Sequence, residues 1–415
     1  MSAVRTPWYP YLGNVPAHLE YPDYSMVEAV EEIAKKYPSY IAYDFMGSHG
    51  TYEKLVKDIH ECARALRAIG IRENEKVTIC MPNCPQTVVM FYAVNMIGAI
   101  ANMVHPLSAE GEIEFYLNDS ESVAALTLDQ FYGKFASIRK NTPCLKHLII
   151  ATVADALNPV MKVGYALTQG RKVPRVPKDA DVLIWKQFIA DGKKYTGDPR
   201  VRRTGEQPAV ILYSGGTTGI TKGILLSNLN FNALARQIIA TNPIFSPGDK
   251  MLAIMPMFHG FGLGVCIHSM TASGGRCILV PRFTPQTYAE LLRKHQPNLI
   301  AGVPTLYEAL LRIPGLDNLN LSCLKGVFSG GDSLPPELKK RFDAFLKAHG
   351  AKIEVREGYG PPSASPPAAS RPSAAPRRAA SASPSRTPTT RSSRWAPRTR
   401  CLTARRARSA WPVPR

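Results

Sequence analysis

The residues best suited to chemistry lie in one run, residues 213–223, which reads Y-S-G-G-T-T-G-I-T-K-G. Gly215, Gly216 and Gly219 can turn backbone N–H groups toward a common anion. Ser214, Thr217 and Thr218 add hydroxyl donors, and Lys222 adds a mobile positive charge. This is the composition of a loop that holds phosphate. It is not a Walker A loop, which needs Gly directly before Lys and Ser or Thr after it; here Thr221 precedes Lys222 and Gly223 follows. No G-x-G-x-x-G of a dinucleotide-binding turn can be read from it either. On residue type alone, a flexible Gly/Thr surface loop stays open as the plain alternative.

Four later stretches carry further candidates. Residues 255–263 read M-P-M-F-H-G-F-G-L and put His259 among apolar neighbours. A neutral imidazole can donate to a carboxylate oxygen, and an imidazolium pairs with it more strongly. A satisfied loop histidine is the alternative. Gly302, Val303 and Pro304 end a strand-like run and start a helix-like one. Residues 328–334 read F-S-G-G-D-S-L, with Gly330, Gly331 and Asp332 at the centre. Residues 326–330 read G-V-F-S-G, so the G-x-S-x-G of a hydrolase elbow is excluded. Glu357, Gly358, Tyr359 and Gly360 close the series.

In this order the stretches resemble the adenylate-forming, or AMP-binding, superfamily, of the acyl-CoA synthetase type. Its phosphate loop is roughly S-[SG]-G-T-T-G-x-P-K-G, and Thr221 stands where Pro is usual. The resemblance implies an α/β fold whose large N-terminal domain has two parallel-type sheets flanked by helices. It implies that Ser214, Gly215, Gly216, Thr217, Thr218, Gly219 and Lys222 hold the phosphates of ATP. It further implies an acyl pocket of His259, Phe261, Gly262, Gly302, Val303 and Pro304, with His259 the catalytic candidate near the carboxylate. Gly330, Gly331, Asp332, Glu357, Gly358, Tyr359 and Gly360 would surround the adenine, with Tyr359 stacked on it. ATP, Mg²⁺ and coenzyme A as co-substrate are the expected small molecules. A fatty acid is favoured as the acid because the wall residues Phe258, Phe261, Leu263 and Val303 are apolar; an aryl acid stays open. After Tyr359 the family motif supplies a hydroxyl for phosphate and a carboxylate for Mg²⁺, whereas here Gly360 is followed by P-P-S-A. The ribose-binding Asp, the hinge and the small C-terminal domain with its lysine cannot be located, so impaired turnover or a non-catalytic nucleotide-binding remnant is the second expectation.

The elements that must carry these residues alternate. Apolar stripes at 27, 30, 33, 34 and 37, and at 55, 59, 62, 66 and 69, predict helices. Strands are expected at 76–80, 123–128, 147–151, 209–213, 251–255, 276–280, 298–303 and 325–328. Helices are expected at 85–99, 230–240, 285–295 and 335–349. Such alternation argues for parallel sheets flanked by helices. Residues 161–203 are basic and weakly periodic, and read as an irregular connection over the surface. The apolar stretch 88–104 is about one membrane span long, but Asn95, Gly98 and Asn102 make it a buried core helix instead.

The 415 residues are 45% hydrophobic, enough for a large core. The N-terminus has no secretory apolar region, and eight cysteines show no pairing rhythm, which together predict a cytoplasmic protein. Cys80 and Cys84 make one CxxxC without a second pair, so no metal site is expected there. Contact with a membrane surface stays open, with no transmembrane segment. The net charge of +19 misleads: residues 361–415 hold twelve arginines and no Lys, Asp or Glu, leaving 39 basic against 32 acidic residues before them. The chain thus divides into an incomplete AMP-binding domain over 1–360 and an Arg/Pro/Ala/Ser tail over 361–415. Few apolar residues are available in the tail to offset the entropy of ordering, so disorder is expected. Its composition is that of a GC-rich gene read out of frame, and a one-base shift after codon 360 should then restore Thr-Glu. A nucleic-acid arm, suggested by Ser-Arg steps such as Ser385-Arg386, is not favoured.

Overall fold

The computed structural model describes residues 15–168, 176–177, 181–214 and 221–360. Its strands, in chain order, are β1 (Ile41–Phe45), β2 (Ser48–Thr51), β3 (Lys76–Cys80), β4 (Ile100–Met103), β5 (Ala124–Leu128), β6 (His147–Ala151) and β7 (Val182–Ile184). Then come β8 (Pro208–Ser214), β9 (Lys222–Ser227), β10 (Lys250–Ala253), β11 (Arg276–Leu279), β12 (Leu299–Gly302), β13 (Gly326–Ser329) and β14 (Val355–Glu357). They form two seven-stranded sheets, ordered β14-β13-β12-β10-β11-β1-β2 and β7-β6-β5-β3-β4-β8-β9. Neighbours are parallel throughout, except for β1 with β2 and β8 with β9. Parallel sheets flanked by helices are what the alternation predicts, and two of them are what the family resemblance implies. Helix-covered parallel strands are buried on both faces, which is why β5, β12 and β13 read as unbroken apolar or small-residue runs.

The helices follow from local signals. The helix Tyr52–Ala68 starts at Thr51, whose side chain accepts from the Lys54 N–H. It ends at Gly70 (φ 87°), where the Ile71 N–H reaches the Leu66 carbonyl and the Gly70 N–H reaches that of Arg67, a Schellman closure. The helix Pro85–Met96 is buried along its whole length, so it is apolar all round rather than striped. Its Tyr92 and Asn95 bond to His268 and Asn228, which ties it to residues far along the chain.

Two expectations are corrected. The apolar stretch 88–104 is not one helix: the helix stops at Met96, Gly98 turns the chain at φ 71°, and β4 follows as a buried strand. Residues 161–203 are not a featureless connection. They include most of the helix Pro159–Leu167, the edge strand β7 and the helix Trp185–Asp191. β7 is too short and too exposed to leave a periodic signature, and pairing with β6 decides it. The tail 361–415 lies outside the described residues, as does the expectation about its order. Among the described residues no helix is long and apolar enough to cross a membrane.

Candidate functional site

In the first sheet the chain leaves β10 for β11 on one side, then returns to β12 on the other. The order of strands therefore reverses between β10 and β12, and the carboxyl ends of the strands at such a reversal are the usual ligand site of an open α/β sheet. The predicted acyl and adenine stretches follow β10, β12, β13 and β14, all at this end.

After β10 the chain makes a turn closed by the His259 N–H on the Pro256 carbonyl (3.1 Å), then enters a π-helix over Phe261–His268. π-Helical turns are rare and gather at functional sites. Here Gly262 permits the geometry: a Cβ on it would lie 2.1 Å from the Pro256 oxygen and 2.4 Å from that of Met255. His259 Nδ1 accepts from the Phe261 N–H at 3.2 Å, which leaves the proton on Nε2. Loss of hydration pushes the imidazole below its ordinary value, so near neutral pH His259 is an uncharged donor.

The remaining segments close on this turn. Gly302 ends β12; its carbonyl accepts from the Gly330 N–H at 3.1 Å. Val303 caps, and Pro304 begins, the helix Pro304–Leu310. Buried Tyr307 on that helix donates to the Phe328 carbonyl at 2.6 Å, locking β13 to it. A Cβ on Gly330 would meet both the Gly358 oxygen and Phe261 Cζ at 3.3 Å, and one on Gly331 (φ 82°) would meet Val303 at 3.2 Å. Phe261, Val303, Gly330, Gly331 and Gly358 are therefore one cluster, although they come from four separate stretches. The Gly358 N–H bonds the Ser329 carbonyl at 2.8 Å, and Glu357 Oε1 accepts from the Leu334 N–H at 2.9 Å. Tyr359 stands 68% exposed, Gly360 is exposed too, and Asp332, also exposed, accepts from the Ser333 N–H.

The second sheet carries the ends of the expected phosphate loop. Ser214 and Lys222 face each other across the β8–β9 hairpin, so they flank the loop between them. Gly215, Gly216, Thr217, Thr218 and Gly219 lie outside the described residues. β8 is held near its end by Tyr213, whose ring lies 4.2 Å from that of Tyr116 and whose hydroxyl donates to Asp119 Oδ2 and the Tyr116 carbonyl, each at 3.3 Å. Burial raises both the Tyr213 phenol and the Asp119 carboxyl above their ordinary values. The two sheets meet where Leu212 of β8 approaches Gly260: a Cβ there would sit 3.4 Å from Leu212 Cδ1.

Two neighbours of the His259 turn have no motif to announce them. His105, after β4, packs its ring 4.2 Å from Phe258. Asn83, after β3, makes three hydrogen bonds to residues 253–257. Asn83 lies inside the Cys80–Cys84 stretch, where a polar residue between Pro82 and Pro85 was the available signal. Both cysteines are buried free thiols, and no metal-binding group of His, Cys, Asp and Glu occurs among the described residues. Asp332 and Glu357 each accept a backbone N–H through one carboxylate oxygen.

The AMP-binding enzyme family matches residues 30–390, a span that runs past Gly360. Among curated relatives, a long-chain-fatty-acid–CoA ligase of Bacillus subtilis (strain 168) is 32% identical over 366 residues, covering 87% of this chain and 64% of its own length. The chain therefore spans less than two thirds of that relative. A crystal structure of a long-chain-fatty-acid–CoA ligase from Archaeoglobus fulgidus superposes with a TM-score of 0.69 at 21% identity, covering 82% of this chain and 65% of the other. An anthranilate–CoA ligase in complex with anthranoyl-AMP also gives 0.69, at 20% identity, covering 82% and 60%. At such identities the two structures speak for the fold.

Proposed function

Since the chain belongs to the AMP-binding enzyme family, we propose that it is the acid-activating part of an acyl-CoA synthetase whose acid is a fatty acid. In the first reaction the carboxylate attacks the α-phosphorus of ATP; acyl-adenylate forms and pyrophosphate leaves. In the second the thiol of coenzyme A attacks the acyl carbon, AMP leaves and the thiol proton goes to solvent. The residues act by positioning and charge. His259 Nε2–H donates to the acid's carboxylate; Phe258, Phe261 and Val303 make an apolar wall for its chain, while fully buried Leu263 belongs to the core; Tyr359 and the Gly330–Gly331 backbone face the adenine; Ser214 and Lys222 anchor the phosphate loop.

The observation that carries this reading is the cluster of Phe261, Val303, Gly330 and Gly358 at the strand reversal, directly beside the His259 turn. Support for a fatty acid over an aryl acid comes from the apolar wall and from the name of the Bacillus subtilis relative. With P-P-S-A after Gly360 in place of the expected hydroxyl and carboxylate, turnover by the chain as written is proposed to be weak. Two measurements test the reading: binding of a non-hydrolysable fatty acyl-adenylate mimic by calorimetry, and pyrophosphate release with ATP, Mg²⁺ and dodecanoate. Micromolar or tighter mimic binding with little pyrophosphate is expected. No binding of the mimic would sink the site, and an aryl-adenylate mimic that binds more tightly would reassign the acid.

A further inference from the structure

We propose that Asn83 is a positioning residue for His259, a carboxamide clamp reaching from one sheet to fix the active turn of the other. The inference rests on the role of His259 given above. Asn83 follows β3, in the β3–β5 sheet; His259 follows β10, in the other. The carboxamide is 3% exposed. Its Nδ2 donates to the Ala253 carbonyl at 3.0 Å and the Met255 carbonyl at 2.8 Å, and its Oδ1 accepts from the Met257 N–H at 2.9 Å. Two carbonyls on one side and an N–H on the other fix which end is nitrogen.

Ala253 is the last residue of β10, and its carbonyl also accepts from the Val280 N–H at 3.4 Å; Met255 and Met257 lie past the strand, where the ladder no longer supplies partners. Without Asn83 the Met255 carbonyl and the Met257 N–H would lose this partner, and a buried unpaired group is costly. Beyond Met257 only the Pro256–His259 turn separates the clamp from the imidazole. The clamp is itself anchored: the Thr87 hydroxyl donates to the Pro82 carbonyl at 2.6 Å, and the helix Pro85–Met96 that follows is buried throughout. Neither Leu nor Ser could replace Asn here, since Leu has no polar atoms and Ser is too short to span three backbone groups.

The test compares Asn83→Ala and the milder Asn83→Ser with Thr78→Val. Thr78 is a buried β3 residue bonded to Ser122 at 2.7 Å and Asn102 at 2.9 Å, so its loss removes buried hydrogen bonds away from the turn. The first readout is the His259 titration in ligand-free protein by NMR, assigned with His259→Gln. The Phe261 N–H on Nδ1 opposes protonation of the ring and a loosened turn weakens that bond, so the His259 midpoint should rise by about half a pH unit or more in both Asn83 variants and stay put in Thr78→Val. The second readout is affinity for the acyl-adenylate mimic, expected to fall roughly tenfold with Asn83→Ser. An unmoved His259 in Asn83→Ser, or an equal movement in Thr78→Val, overturns the clamp. If the wild-type chain fails to bind the mimic, the functional reading falls, while the titration still decides the clamp.

Discussion

The two walls proposed for the site are built differently. The proposed acyl wall, residues 255–268 with Gly302, is set into the core: Gly262 has no room for a Cβ, Phe261 packs on Gly330, and the segment's far end, His268, is fully buried. The nucleotide wall is loose by comparison. Tyr359 projects 68% exposed past the three-residue edge strand β14, and Asp332 bonds only to its neighbour's backbone. The proposed acyl wall is therefore shaped by folding, whereas the proposed nucleotide wall offers exposed side chains that would gain partners from a ligand. Substitutions should divide accordingly: changes in the acyl wall should register as stability, and those in the nucleotide wall as affinity.

The largest effect is expected from Gly262→Val. Its Cβ would fall within 2.4 Å of two backbone carbonyl oxygens, so the turn itself must move. Loss of about 3 kcal/mol or more, or of soluble protein altogether, should appear in urea unfolding. An unfolding midpoint matching wild type would show that the acyl wall is not rigid. Next is His268, which accepts or donates to Tyr92 at 3.1 Å and Asn232 at 2.9 Å while burial pushes it down to about 3. Unfolded, it would titrate near the ordinary value of about 6.5. Between those values the unfolded state holds the extra proton, so stability rises with pH across the window, and falling pH costs stability from about 6.5 downward. His268→Gln should be less stable than wild type by about 1 kcal/mol at pH 8, and the gap should close or invert toward pH 4. Stability curves that stay parallel across that range would mean the imidazole is hydrated and the segment's far end open. On the phosphate side, Lys222→Ala should weaken ATP binding roughly 10- to 100-fold, the worth of a charge-assisted contact, while leaving urea stability unchanged. An unaltered ATP affinity would separate the β8–β9 hairpin from the nucleotide site.

What could be read in the sequence follows the same division. The strands β3, β5, β6, β8 and β11 were legible because burial on both faces demands continuous apolar runs. The phosphate loop stood out through composition, since few other folds need that many glycines and hydroxyls before a lysine. The π-helix did not, because every position from Gly262 to His268 is buried and a segment apolar on all sides carries no period. β4 was hidden for a related reason: it continues the apolar helix before it, and only Gly98 marks the join. β9 was missed because a hairpin partner beside a Gly/Thr loop looks like more loop until the Ser214–Lys222 register is seen. Asn83 carried only a faint sign, a polar residue between Pro82 and Pro85, because its partners are backbone groups of the other sheet and the role proposed for it lies in where they are.

Tyr359 gives the smallest change in stability and so the sharpest separation of the two walls. With two thirds of the side chain in water, Tyr359→Ala forfeits little burial, and the unfolding midpoint should stay within about 0.5 kcal/mol of wild type. If the ring covers the adenine, removing it forfeits a stacking contact worth about 1–3 kcal/mol, so ATP and the acyl-adenylate mimic should both bind roughly 5- to 100-fold more weakly. The fatty acid alone should bind as before, because its wall is made elsewhere. Calorimetry with all three ligands on one variant therefore tests the contrast directly. Equal losses for the fatty acid and ATP would mean that the walls move together, and unchanged ATP affinity would leave Tyr359 a solvated side chain at the end of an edge strand.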